Sequence, residues 1–550
     1  MNPINTCLSR AGMLTVALLA HHDPATAVTK PGAMEYAPAF STFFGASAGA
    51  ASMVTDRQGA VYISGTTRDP RFPTTPGAYA RTSRGDTDAF VAKFSPDGQL
   101  VFSTLIGGTK ADTGGLLRVD DQGNVYLAGQ TASPDFPTTP GAYQRAFPAG
   151  QGTEASVGYV LKLDPTGGSL VFSTLFVESF AAMQLDNQHN ILLSGNTTAT
   201  NFPTTAGAFS RALRGDRDAF VCRLSADGSQ LLSSTLFGGR GYEEGKCLAV
   251  DSDQNVYLAG CSGSTDLPVA TNALKKRLTG TINGYFAKFD RDLTTLRYAS
   301  YYGGSAAYNF VHAMFCTPQN KLYLSGQTYS TDVPVTTNAY QARLAGDADL
   351  YISLVDVTNM TLRYSTYFGG NLEEMGPITP LGEDLVVVSG FTRSSDFPVT
   401  EHAWPTTGIG NATRFFFSIL DFRNLKAQQL VYSTYWPCDM ALKADEHGNV
   451  YLFGETSATN YPITPGAFQT NFPGAPAFFL TKLAPRPIKT AASVNPSHFQ
   501  LNWSGGVPPY LVQQSATLSA DAWRDAVTNA IPPVNLPMDQ AAGYYRVAGQ

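Results

Sequence analysis

Along most of the chain, short runs of aliphatic, β-branched and aromatic residues alternate with clusters of Gly, Pro, Asp and Ser, the pattern of strands joined by tight turns. One phrase recurs, an apolar residue followed by Pro. It stands at Phe72, Phe136, Phe202, Leu267, Val333, Phe397 and Tyr461, with spacings of 64, 66, 65, 66, 64 and 64 residues. Regular self-similarity at that period marks a repeat architecture, here with seven copies.

Each copy carries four strand-like runs, A to D, clearest in the second: Leu116–Val119, Asn124–Ala128, Ala155–Leu161 and Leu170–Leu175. The A–B link, Asp120 to Gly123, ends in a Gly able to adopt the positive φ that closes a hairpin, so A and B are antiparallel neighbours. Strand B is apolar on both faces, with Val125 and Leu127 on one side and Tyr126 and Ala128 on the other. A sheet covered on both sides and repeated without helices is satisfied by blades packed radially around an axis. The expected fold is therefore all-β, a seven-bladed β-propeller with four-stranded blades.

The phase of the repeat is informative about closure. A D-like run, Ser41 to Phe44, precedes any A strand, whereas Ala477 to Leu483 is a C strand with no D after it. The two ends complete one blade, which predicts that the outer strand of blade seven comes from the N-terminal side and removes an exposed edge.

Composition narrows the class. Charged residues are 15% of the chain, with a net charge of −6 and no long basic run, so the footprint that nucleic acid requires is missing. Arg10, the apolar stretch 11–20 and the small residues Ala25-Thr26-Ala27 resemble a secretory signal, and the stretch is too short to span a bilayer. Cys7 would leave with it. The remaining Cys222, Cys247, Cys261, Cys316 and Cys438 show no C-x-x-C spacing, and no zinc site is expected. Cys247 and Cys261 flank one hairpin and could approach each other, although isolated buried thiols are commoner in sheet cores.

The phrases Asn124 to Gly129, Asp135 to Gln144, Asp88 to Phe94 and Ser365 to Gly370 resemble the bacterial SBBP β-propeller repeat over roughly residues 39 to 485. That resemblance implies a secreted or cell-surface propeller, commonly beside small β-sandwich modules, with no settled activity. The copies depart from it where Val177-Glu178, Pro437-Cys438 and Gly45-Ala46 replace the Gly-Gly after strand D. After Pro485 the rhythm changes, and the alternating runs His498 to Trp503, Tyr510 to Ser515 and Tyr544 to Val547 resemble a truncated fibronectin- or immunoglobulin-like sandwich. The expected division is a signal at 1–27, a linker at 28–38, the propeller at 39–485 and a small β-sandwich-like domain at 486–550.

The B–C loops are expected to gather on one face with the D–A turns. Their repeated Tyr79, Tyr143, Phe209, Leu274, Tyr340, Trp404 and Phe468 read as loop staples, because a residue present in every blade does what every blade needs. Ligand chemistry should sit in what differs between blades: Asp112, Glu243, Glu244, Glu373 and Glu374 after the D–A turn, with His312 on an inner strand, form a candidate electronegative rim. The competing reading makes each carboxylate an acceptor for backbone N–H groups of an adjacent blade. No histidine trio, D-x-D-x-D loop or nucleophile elbow occurs, so no catalytic residue, metal or cofactor is assigned. The expected function is a secreted or cell-surface binding or scaffolding propeller engaging a glycan or protein through its loop-rich face. The alternative is an extracellular polysaccharide hydrolase or lyase using Glu243 or Glu244 with Glu373 or Glu374.

Overall fold

The computed structural model describes residues 34–46, 48–147, 156–400, 403, 414–424 and 426–486, and, beyond these, 489–494, 498–504, 510–515, 524–527, 530, 534–537 and 544–549. The proposed signal at 1–27, His402 and Trp404 lie outside the described residues.

Seven sheets, each with strands in the order A-B-C-D, form the blades. In blade two these are Asp112–Val119, Val125–Thr131, Val157–Leu163 and Leu170–Phe176. Blade six differs in that its inner strand is broken into Glu374–Met375 and Ile378–Pro380. The A strands contact one another in sequence, and that of blade seven (Met440–Ala444) returns to that of blade one (Gly49–Thr55), so they form the closed inner ring. The predicted closure is present. Tyr36–Ala46 pairs antiparallel with Ala477–Pro485, bringing Ser41 opposite Thr481 and Phe43 opposite Phe479.

Apolar side chains on both faces of strand B go to different neighbours. Tyr126 and Ala128 pack with blade three, and Val125 and Leu127 with blade one. Seven buried clusters result, each straddling two consecutive blades, so no blade has a core of its own. The apolar-Pro anchors are all buried, from Val333 and Phe397 at 3% exposed to Tyr461 at 5%.

The B–C loops depart from expectation. They leave the predicted face and then fold back along the outer rim, where they bond strand D. Thr75 N–H donates to Ser103 C=O and Leu105 N–H to Ala80 C=O, and the same exchange recurs as Thr139–Ser173 with Leu175–Gln144 and as Thr336–Ser365 with Tyr367–Gln341. The physical reason is that strand D is an edge whose backbone groups need partners. The repeated aromatic positions staple these loops to the next blade, as when Tyr79 and Tyr143 donate their N–H groups to Gly167 and Gly228 in the following C–D turns.

The A–B turns follow their sequence signal. Gly123 has φ 83°, and Asp120 accepts from Asn124 N–H and Tyr126 O–H while pairing with Lys162 at 3.2 Å. The C-terminal stretch has two three-stranded sheets sharing a core of Leu501, Trp503, Val512, Ala530, Val534 and Val547. All five described cysteines are free thiols; Cys247 faces Ala259 and Cys261 faces Glu244 across the hairpin.

Closure makes the N-terminal strand disproportionately important to stability. Phe44 is fully buried between Phe72, Phe90 and Phe94 of blade one, so Phe44→Ala should cost about 3–5 kcal/mol in urea unfolding. Deleting residues 36–46 should abolish the single cooperative transition, and an unchanged melt would contradict the closure.

Candidate functional site

The acids singled out from the sequence separate into two groups. Asp112, Glu243 and Glu374 are fully buried. Asp112 accepts from Gly108 N–H at 2.7 Å and Ser133 O–H at 2.8 Å. Glu243 accepts from Gly239 N–H at 2.8 Å and Ser262 O–H at 2.7 Å. Glu374 accepts from Gly370 N–H at 2.9 Å, Thr392 O–H at 2.5 Å and Ser394 O–H. These carboxylates hold the turns that lead from one blade to the next.

Each faces a second acid, the first residue of strand C in the preceding blade. A Cβ placed on Gly107 would lie 2.0 Å from Asp88 Oδ1 and 2.8 Å from Asp112 Oδ2. For Gly238 the distances are 2.5 Å to both Asp218 Oδ1 and Glu243 Oε2, and for Gly369 2.6 Å to Asp349 Oδ1 and 2.3 Å to Glu374 Oε2. Only Gly fits between such a pair, which accounts for the first Gly of Gly-Gly. The second Gly lies against the Ser and Asp of a Ser-x-Asp phrase, as when a Cβ on Gly108 would meet Ser133 Cβ at 2.6 Å and Asp135 Oδ1 at 2.5 Å.

The fourth Gly-Gly turn, Gly303-Gly304, replaces both acids with amides. Asn309 Oδ1 accepts from Gly304 N–H, Thr328 O–H and Ser330 O–H, as the carboxylates do. Its Nδ2 and that of Asn283 both donate to Gly304 C=O, at 3.3 and 3.1 Å. The three remaining junctions have Val157, Arg414 or Ala477 at the strand-C position, and they lack Gly-Gly. Gly-Gly, Ser-x-Asp and the polar pair therefore come as one unit. In the first acid pair, Asp88 Oδ1 and Asp112 Oδ1 are buried without a hydrogen-bond partner, whereas the amide pair supplies hydrogens. Burial raises the pKa of Asp112 and Glu243, with Asp88 and Asp218 adding repulsion. Asp349 is pushed up to about 6, by burial first and Glu374 next.

The second group lies at the channel mouth on blades four to six. Glu244 pairs with Lys246 at 2.9 Å and Arg217 at 3.8 Å, and Glu373 pairs with Arg393 at 2.6 Å. Between them runs an aromatic ladder on the segment entering the inner strand of blade five. Tyr308, 44% exposed, stacks on Phe310 with centroids 6.1 Å apart and an interplanar angle of 7°, and Phe310 stacks on His312 at 6.0 Å. Tyr329 meets Tyr308 edge-on at 6.3 Å, and Lys246 Nζ lies 5.8 Å from the Phe310 ring. His312 has its pKa lowered to about 4 by burial and by Lys246, so it is neutral at physiological pH, and its Nε2 is buried without a partner. By register Phe310 and His312 occupy the positions that Thr113 and Gly115 hold in blade two. There the small residues Gly114, Gly115 and Gly129, with Ala51 and Phe180, line a cleft of about 180 Å³.

Sequence reasoning passed over Tyr308, Phe310, Tyr329, Lys246 and Arg393. The signal was present: Tyr308-Asn309-Phe310-Val311-His312 alternates aromatic rings where the second copy reads Ala111-Asp112-Thr113-Gly114-Gly115. Among the described residues no group of three or more His, Cys, Asp or Glu side chains could hold a metal ion.

The acid pairs generate a pH dependence. Because the folded pKa of Asp349 is raised, the folded state binds the extra proton, and its contribution is complete below the ordinary aspartate range and lost as pH rises through about 6. In urea melts the wild type should lose roughly 1–3 kcal/mol over that window relative to a variant whose pair cannot titrate. Asp349→Asn with Glu374→Gln recreates the amide pair, and it should fold and flatten this slope. A slope unchanged in the double variant would contradict the assignment.

No family model matches the chain, and no curated protein does. Among solved structures, the chain is similar to one titled Kuenenia stuttgartiensis Hydrazine Synthase, at 8% identity, covering 58% of this chain and 73% of that one with a TM-score of 0.30. A likeness this distant carries no argument about function.

Proposed function

We propose that the protein is an exported binding propeller of the SBBP type that holds a glycan at the channel mouth of blades four to six. The observation that carries this reading is the ladder Tyr308–Phe310–His312, exposed at Tyr308, between two acid–base pairs, Lys246–Glu244 and Arg393–Glu373. Exposed aromatic faces stack on the C–H face of a pyranose ring, and carboxylate and guanidinium groups beside them bond its hydroxyls. The glycine-lined cleft on blades one to three lies at the same register level as the ladder and offers room for a ring.

A paired-carboxylate hydrolase needs acids free to exchange protons with a substrate. Glu243 and Glu374 are instead tied into blade junctions, and Glu244 and Glu373 into ion pairs. No helix among the described residues is long and apolar enough to cross a membrane. Export rests on the N-terminal sequence alone, and protein recovered from the culture medium should begin after Ala27.

A glycan array with wild type and Tyr308→Ala tests the reading. The wild type should bind a defined set of glycans, and Tyr308→Ala should lose at least about tenfold in affinity for them, the scale of one stacked ring. Equal binding by the variant, or no glycan bound by either, overturns it, and release of product from any bound polysaccharide would favour the hydrolase.

A further inference from the structure

Below the mouth, the inner strands can be compared rung by rung through their pairing with strand B. Arg118 lies opposite Tyr126 in blade two, and Lys443 opposite Tyr451 in blade seven, on one rung. The other five positions of that rung are Val54, Gln184, Ala249, Phe315 and Thr379, none of them charged. The rung above is apolar in every blade, from Leu117 and Leu248 to Leu442, and the rung below is uncharged throughout, from Val119 to Ala444. The waist of the channel thus carries two charges, both positive.

Among the described residues neither is paired with an acid. Arg118 is the one charged group that acts strongly on Lys443, by repulsion, and the arginine is influenced by burial alone. The strands packed against Lys443 offer nothing to neutralise it. Gly49–Thr55, Ile378–Pro380 and Leu385–Thr392 hold no titratable residue, while in Val450–Thr456 the Tyr451 hydroxyl is bonded to Asp445 and Glu455 accepts from Ala50 N–H. Of the acids in the neighbouring turns, Asp56 lies by Lys93, Asp120 by Lys162 and Asp121 by His189, Asp445 bonds Asn449, and Glu446 is exposed to solvent and does not act on Lys443.

The arginine is also held in place. Gln184 Nε2 donates to Leu248 C=O at 3.1 Å, and its Oε1 accepts from Arg118 Nε at 3.1 Å; Arg118 Nη1 donates to Leu117 C=O at 2.7 Å. This chain of bonds across blades two, three and four fixes the guanidinium and leaves its Nη2 without a bond among the described residues. Two cations on one rung of an inner ring otherwise lined by uncharged side chains cost free energy unless an anion joins them.

We infer that the channel waist is an oxyanion site, in which Arg118 and Lys443 together receive one carboxylate or phosphate group. The guanidinium edge offers fork-like donors and the ammonium a point charge, a combination suited to two oxygens of one group. The site is separate from the aromatic mouth and stands without it. Its occupant is either a free inorganic ion or the acid group of an acidic sugar.

Calorimetric titrations with inorganic phosphate and with glucuronic acid, at constant ionic strength set with chloride, distinguish the two sources. Saturable binding of either is expected, at least about tenfold weaker in Lys443→Met and in Arg118→Gln, with phosphate binding, which needs no aromatic ring, retained in Tyr308→Ala. Burial and Arg118 lower the Lys443 pKa to about 8, so binding should weaken as pH rises past that value. The Lys443 pKa, followed by NMR in the wild type, should rise on adding the bound species, a readout that needs no variant. Absence of saturable binding by both probes, equal affinity in the Lys443 and Arg118 variants, or an unmoved lysine pKa at saturating probe would overturn the inference.

Discussion

The antiparallel pairing of Tyr36–Ala46 with Ala477–Pro485 is the contact on which the rest of the molecule depends. Every apolar cluster of the propeller lies between two blades, so a blade lacking a neighbour on either side leaves one face of strand B open to water. Two of the seven clusters draw directly on the N-terminal strand: Tyr36 and Phe43 complete the interface of blades six and seven, and Phe40 and Phe44 that of blades seven and one. Burying each such ring is worth roughly 1.5–3 kcal/mol, so the closing strand stabilises two interfaces in addition to its ladder of hydrogen bonds. A propeller whose first and last strands meet inside one sheet cannot lose an end blade without opening the ring.

The repeat also supplies its own controls. Four junctions combine Gly-Gly, Ser-x-Asp and a polar pair, and the three whose strand-C position holds Val157, Arg414 or Ala477 lack Gly-Gly. Three of the four pairs are acidic and one is Asn283 with Asn309, which shows that the junction needs hydrogen-bonding shape more than charge. A neutral amide brings its own hydrogens. A pair of carboxyls must acquire one from solvent, and burial together with mutual repulsion pushes the pKa in that direction.

The fold was legible because period and phase are global properties that survive local substitution; Ser41 to Phe44 standing ahead of the first A strand announced the closure. The course of the B–C loops was not legible. Their Gly and Pro residues mark turns but say nothing of where the loop travels, and that is decided by the unpaired edge of strand D, which the loops cover. The candidate site was half legible. Asp112 and Glu243 look like Glu244 in sequence, yet successive residues of a strand point to opposite sides, so Glu243 enters the junction while Glu244 stays at the mouth with Lys246. The ladder has no motif of its own, and Tyr308, Phe310 and His312 stand out only when the fifth copy is set beside the second at equal register.

Mouth and waist are not electrostatically independent. At the mouth Lys246, Arg217 and Arg393 have Glu244 and Glu373 as partners, while at the waist Arg118 and Lys443 have no acid partner among the described residues. Apolar walls confine field lines, and the potential of the two cations is therefore screened less along the channel than across the outer surface. An acidic group arriving at the aromatic ladder meets a gradient directed down the axis, and a neutral one does not. Selectivity between charged and uncharged ligands would then be set by residues that an uncharged ligand never touches, with the rings at the mouth determining shape and the rung of Arg118 and Lys443 determining sign.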